Sequence, residues 1–138
     1  MLDSEAATAD LAAEFARSLE PGDVVALHGE LGAGKSVFAR AAMRALGVTD
    51  EALPSPTFAI IQEYEGRNCR VAHMDWYRLD GVEELEAIGV RDYFQPPWIC
   101  LVEWPERAPE LLPDKAVHLF IACVPDKLDA RAIRIERS

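Results

Sequence analysis

Gly29-Glu30-Leu31-Gly32-Ala33-Gly34-Lys35-Ser36 fits the pattern G-x-x-x-x-G-K-[ST] at every fixed position. Each part of such a stretch has a physical task. Glycines allow backbone angles and close approaches that a side chain would block. Successive backbone N–H groups then line a concave nest for phosphate oxygens. A helix starting at Lys35 would point its positive dipole end at the same anion. The Lys35 ammonium would reach the outer phosphates, and the Ser36 hydroxyl would ligate Mg²⁺. All eight residues are therefore expected to contact ATP, with Ser36 also holding the metal.

The flanks support this reading. Residues 24–28, Val-Val-Ala-Leu-His, read as a short buried strand, and residues 35–46 as a helix that Gly47 is placed to end. Upstream, residues 4–19 read as an amphipathic helix with Ser4 as N-cap and Ala7, Leu11, Phe15 and Leu19 on the apolar face. Downstream, strands are expected over 58–64, 70–75, 98–103, 117–124 and 130–136, the last with Ile133 and Ile135 inward. A short helix is expected over 82–88. Helices alternate with strands at first and strands dominate later. The expected fold class is α/β, a single P-loop NTPase-like domain over 1–138 with a mixed parallel and antiparallel sheet flanked by helices.

A phosphate loop needs a carboxylate at the end of a neighbouring strand to hold Mg²⁺. Two strands end that way, 98–102 running into Glu103 and 70–74 running into Asp75. The first is the more apolar and the better candidate for a central strand. Thr57, after Ser55-Pro56, stands where switch-type NTPases place a hydroxyl that senses the γ-phosphate, although a turn threonine reads the same way. His73 alone reads as a structural strand residue. Arg78 is equally open to a phosphate and to a loop anchor.

Composition sets the outer bounds. The chain has 138 residues, half of them apolar, enough for one core. No apolar run reaches the roughly 20 residues of a membrane span, and no signal-peptide pattern opens the chain, so a cytoplasmic, membrane-free protein is expected. Cys69, Cys100 and Cys123 lack metal-site spacing and are expected to be buried and reduced. The net charge of −10 opposes broad direct contact with a nucleic-acid backbone.

The stretches GELGAGKS at 29–36, SPTF at 55–58, HMDWYR at 73–78 and LVEWPE at 101–106 together resemble the TsaE (YjeE) family, with weaker agreement over 83–94 and 111–113. The HxDxYR and EW elements are far more specific than the phosphate loop. The resemblance implies a Mg-dependent ATPase required for the threonylcarbamoyl group on adenosine 37 of tRNAs that read codons beginning with A. It implies TsaB and TsaD as partners, with tRNA met through that complex. It implies Lys35 and Ser36 on ATP and Mg²⁺, Glu103 on the metal, Asp75 in hydrolysis, Thr57 in a nucleotide-responsive loop and Trp104 beside the nucleotide. The family more often has threonine where this chain has Ser36.

Other readings compete. A small-molecule kinase would need an acceptor pocket and an arginine-bearing lid, for which the chain is short of room. A GTP switch would use Asp126-Lys127-Leu128-Asp129 as a guanine reader, but Asp126 lacks the amide donor of the N-K-x-D signature. A binding module would use ATP mainly to order its loops and control docking.

Overall fold

A computed structural model of the chain describes residues 2, 4–30, 32–50, 53, 60–79 and 81–137. The elements are α1 (Glu5–Ala16), β1 (Val24–His28), α2 (Lys35–Ala45), β2 (Ile61–Glu65), β3 (Arg70–Asp75), α3 (Val82–Ala87), β4 (Trp98–Glu103), β5 (Val117–Val124) and β6 (Lys127–Glu136). Short 3₁₀ turns lie at Val90–Phe94, Pro105–Arg107 and Pro109–Leu111.

The strands form one six-stranded sheet in the order β2-β3-β4-β1-β5-β6. The four inner strands run parallel, and β2 and β6 close the edges as antiparallel hairpin partners. The mixed α/β sheet expected from the sequence is the one observed. β4 lies between β3 and β1, so Trp98–Glu103 is a central strand as its apolar run requires.

Period-two alternation splits the inner strands between two cores. Val25, Leu27, Ile99, Leu101 and Leu119 face Phe15, Phe38 and Met43 of α1 and α2. Val24, Cys100, Val102 and Met74 face Trp76, Leu85, Val90 and Phe94 on the other side. A rigid layer thus backs each face of the sheet, and the C-terminal ends of β1, β3 and β4 emerge together at one edge.

Ser4 caps α1 as expected, its Oγ accepting from the Ala7 N–H at 3.0 Å. The helix stops at Ala16 instead of residue 19, because the Ser18 and Leu19 N–H groups bond to the carbonyls of Phe15 and Ala16 and tighten the chain. Its buried face is Thr8, Ala12, Phe15 and Ala16, one position away from the expected Ala7 and Leu11. Small residues at 12 and 16 let α1 approach α2, where Phe15 meets Phe38 at 5.9 Å between ring centroids.

Three further expectations change. Ile133 is partly buried, but Ile135 is 36% exposed, since it lies near the free end of the edge strand. Cys123 is exposed, because it sits at the end of β5 beyond the packed part of the sheet, whereas Cys69 and Cys100 are buried. β6 begins at Lys127, three residues early, with Lys127 paired to Val124. Asp126 is the left-handed residue of that hairpin turn, at φ 64°. The Asp-Lys-Leu-Asp stretch is therefore a turn and a strand start. Among the described residues, no helix is long and apolar enough to cross a membrane.

Candidate functional site

The phosphate loop leaves β1 at Gly29 and enters α2 at Lys35. Gly29 is required by space, because a Cβ there would lie 2.6 Å from the Ile121 carbonyl oxygen of β5. Gly34 is required by conformation, at φ 103° as the N-cap of α2. Having no side chain, Gly34 cannot cap the helix, so the first N–H groups of α2 are left for an external acceptor. Gly32, Gly34, Lys35, Ser36, Val37, Asp75, Glu103, Trp104 and Arg131 line a cavity of about 300 Å³ over this helix end. The structure therefore brings Lys35, Ser36, Asp75, Glu103 and Trp104 to one place. Glu30 is exposed on the loop and Ala33 is buried beneath it. Leu31 and Thr57, with the whole 55–58 segment, lie outside the described residues.

Asp75 and Glu103 are register partners at the ends of the adjacent parallel strands β3 and β4. Both are buried. Glu103 is held from two sides. The Ser36 hydroxyl lies 3.1 and 3.2 Å from its two carboxylate oxygens. His73 Nε2 lies 2.6 Å from Oε2, and an Nε2–H donor there fits a carboxylate acceptor. His73 is fully buried and its Nδ1 has no partner among the described residues. The histidine that reads as structural from sequence thus orients the candidate metal carboxylate. Asp75 is fixed locally, its Oδ1 accepting from the Tyr77 N–H at 2.9 Å.

The oxygens of Ser36 and Glu103 suit a magnesium ion. Two ligands about 2.1 Å from an octahedral ion, at right angles, stand roughly 3 Å apart, and the Ser36–Glu103 spacing of 3.1 Å matches. No group of three or more His, Cys, Asp or Glu forms a protein-only metal cage among the described residues. A two-ligand site completed by phosphate and water is the pattern magnesium takes in phosphate chemistry.

Lys35 is buried at the wall of this cavity. Its ammonium donates to the Gly29 carbonyl at 2.6 Å and stands 3.3 Å from the Trp104 ring centroid. Burial holds its pKa below the ordinary lysine value, while Glu103, Glu106 and Asp75 pull it back up. Trp104 is held at φ 58°, a left-handed angle that is unusual for a bulky residue. That angle lays the indole over Lys35. Tyr77 packs on Trp104 at 4.8 Å, and the Arg107 guanidinium stands 5.2 Å from the Tyr77 ring. Sequence spacing gives no hint of this stack, because Lys35 opens α2 after β1 whereas Trp104 follows the end of β4.

Arg131 of β6 is the other member that sequence reading misses, and it places an arginine at this cavity where none was expected. Its Nε donates to the Ala33 carbonyl at 2.7 Å. Arg78 is exposed in the turn after β3.

His28, just before the loop, contacts His118 (Nε2 to Nδ1, 2.8 Å) and stacks on Phe120 at 4.4 Å. Burial, then the neighbouring His118, lowers its pKa below 6.5, against an opposing pull from Glu106. The folded chain therefore binds fewer protons at His28 than the unfolded chain just below that value. Stability is then fully present above pH 6.5 and falls as pH drops toward the lowered folded pKa. Thermal unfolding followed from about pH 7 to 5.5 is expected to show this slope and to lose it in His28→Phe, which keeps the stacking. An unchanged slope in the variant would contradict the assignment.

The sequence model of a family described as "Threonylcarbamoyl adenosine biosynthesis protein TsaE" matches residues 2–133. The tRNA threonylcarbamoyladenosine biosynthesis protein TsaE of Bacillus subtilis (strain 168) is 42% identical over 115 residues, which are 83% of this chain and 69% of that protein. The protein of the same name from Haemophilus influenzae is 40% identical over 98 residues, 71% of this chain and 61% of that protein. That from Treponema pallidum is 37% identical over 110 residues, 80% of each. Among solved structures, the crystal structure of Bacillus subtilis YdiB superposes with a TM-score of 0.78 at 31% identity, covering 98% of this chain and 82% of that one.

Proposed function

From the premise that the chain belongs to the TsaE family, we propose that it is the Mg-dependent ATPase of threonylcarbamoyladenosine formation at adenosine 37 of tRNA. The observation that carries this reading is the convergence of Lys35, Ser36, Asp75 and Glu103 on one cavity above the N-terminus of α2.

Each residue has a task that its position suits. The α2 N–H groups and Lys35 bind the phosphates of ATP, the lysine leaving the Gly29 carbonyl and the Trp104 face to do so. Ser36 and Glu103 would hold Mg²⁺, which when bound neutralises phosphate charge, and His73 keeps the Glu103 carboxylate aimed. Asp75 orients the water that attacks the γ-phosphorus and accepts its proton as the bond to ADP breaks. Trp104 is expected to report binding, since its ring must part from Lys35.

The chemistry on the tRNA itself belongs to partners in this reading. The partners are TsaB and TsaD, and a net charge of −10 disfavours direct tRNA binding. The isolated chain is expected to turn over slowly, because the Arg131 fork points at the carbonyls of Ala33 and Ala130. An arginine supplied in trans can raise turnover by about 10³–10⁵.

Reconstitution tests this. Free tRNA at physiological salt is expected to bind the chain weakly. With an activated threonylcarbamoyl donor supplied, TsaB, TsaD and tRNA are expected to form the modified nucleoside over repeated cycles only when the chain and Mg-ATP are present. Equal product without the chain, or tight binding of free tRNA by the chain alone, would contradict the proposal.

A further inference from the structure

The nest works only if its N–H groups face inward, and a peptide unit next to a glycine turns over more easily than one between two residues with side chains. The unit joining Ala33 to Gly34 is the critical one. In a trans peptide the C=O and the following N–H point in opposite directions. Whatever fixes the Ala33 carbonyl therefore also fixes the Gly34 N–H at the mouth of α2.

Arg131 fixes it. Its Nε donates to the Ala33 oxygen at 2.7 Å, and its Nη1 donates to the Ala130 oxygen at 2.8 Å, which sets the guanidinium plane. The backbone of Arg131 is gripped on both sides. Cys123 of β5 is its register partner. On the other edge Leu2 and Arg131 exchange two N–H···O bonds of 2.7 Å each. The guanidinium therefore stands on a fixed strand, pressed against a loop that carries three glycines.

We propose that Arg131 is a positioning residue of the nucleotide site, pinning the Ala33–Gly34 peptide from outside so that the phosphate loop presents its N–H groups to the anion. This rests on the assignment of the cavity to Mg-ATP. The bond to Ala33 is donated by Nε, three bonds beyond Cβ, and the lysine ammonium lies one bond farther along a stem of the same kind. Lysine at 131 supplies a donor, and methionine supplies the stem without the donor.

Mg-ATP affinity measured by calorimetry on wild type, Arg131→Met and Arg131→Lys tests the proposal, with thermal unfolding of each. Wild type is expected to bind. Arg131→Met is expected to bind about tenfold more weakly, the loss typical of a charge-assisted hydrogen bond. Arg131→Lys is expected within about threefold of wild type, because the donor is restored. A folded Arg131→Met protein with wild-type affinity would overturn the proposal. So would equal losses in both variants, which would mean that the guanidinium acts by packing alone. If Arg131→Met does not fold, Arg131→Leu takes its place: a loss of about tenfold supports the proposal and wild-type affinity overturns it. Failure of wild type to bind Mg-ATP would remove the ATPase reading itself and this inference with it.

Discussion

Lys35→Ala is expected to give a folded protein that has lost most of its affinity for Mg-ATP. The ammonium is the one formal positive charge on the phosphate loop itself. A charge-assisted hydrogen bond to phosphate is worth about 1.5–3 kcal/mol, so affinity should fall by roughly ten- to a hundredfold. Turnover should fall further if the contact strengthens as charge develops on the γ-phosphate. The fold should survive. Among the described residues Lys35 donates to the Gly29 carbonyl and meets the Trp104 ring, and burial already penalises its charge. Alanine removes that penalty together with the two contacts. Calorimetric titration beside a thermal melt would check both halves. Wild-type affinity in a folded Lys35→Ala protein would end the phosphate-loop reading.

The two carboxylates should separate by what they lose. Asp75→Ala is expected to keep Mg-ATP binding near normal and to lower turnover by about 10²–10⁴, the contribution of a general acid–base group. Glu103→Ala is expected to abolish the magnesium dependence of binding, because it takes a charged oxygen from beside Ser36. It should also cost stability, about 1–3 kcal/mol, since buried His73 is left without its carboxylate. ATP binding at varied Mg²⁺, single-turnover hydrolysis and unfolding distinguish the two. If Asp75→Ala loses Mg-ATP binding and Glu103→Ala keeps it, the roles are reversed.

Much of this arrangement is legible in the sequence, for physical reasons. β1, β3 and β4 fall where apolar runs bounded by turn residues place them, because strands buried on both faces have little freedom in composition, and β5 falls where its alternating inward positions place it. The Asp75 and Glu103 pairing follows from two such strands ending at one edge. What is not legible depends on long-range contact. Arg131 sits 98 positions from Ala33, and nothing local to a polar edge strand says which carbonyl it meets. The Trp104 stack on Lys35 depends on one left-handed backbone angle that no residue type demands. His73 looks like a strand residue until β3 and β4 are set in register and place it beside Glu103. Of the apolar face expected for the first helical segment, Phe15 and Leu19 are buried, while Thr8 and Ala12 take the places of Ala7 and the larger Leu11 at the contact.

Phosphate release from ATP by the purified chain, followed at steady state with and without Mg²⁺ and then with TsaB and TsaD added, tests the central claim most directly. The account predicts slow, magnesium-dependent release by the chain alone, a marked rise on adding the partners, and loss of both in Lys35→Ala. No magnesium-dependent release under either condition, or release that Lys35→Ala leaves unchanged, would contradict it.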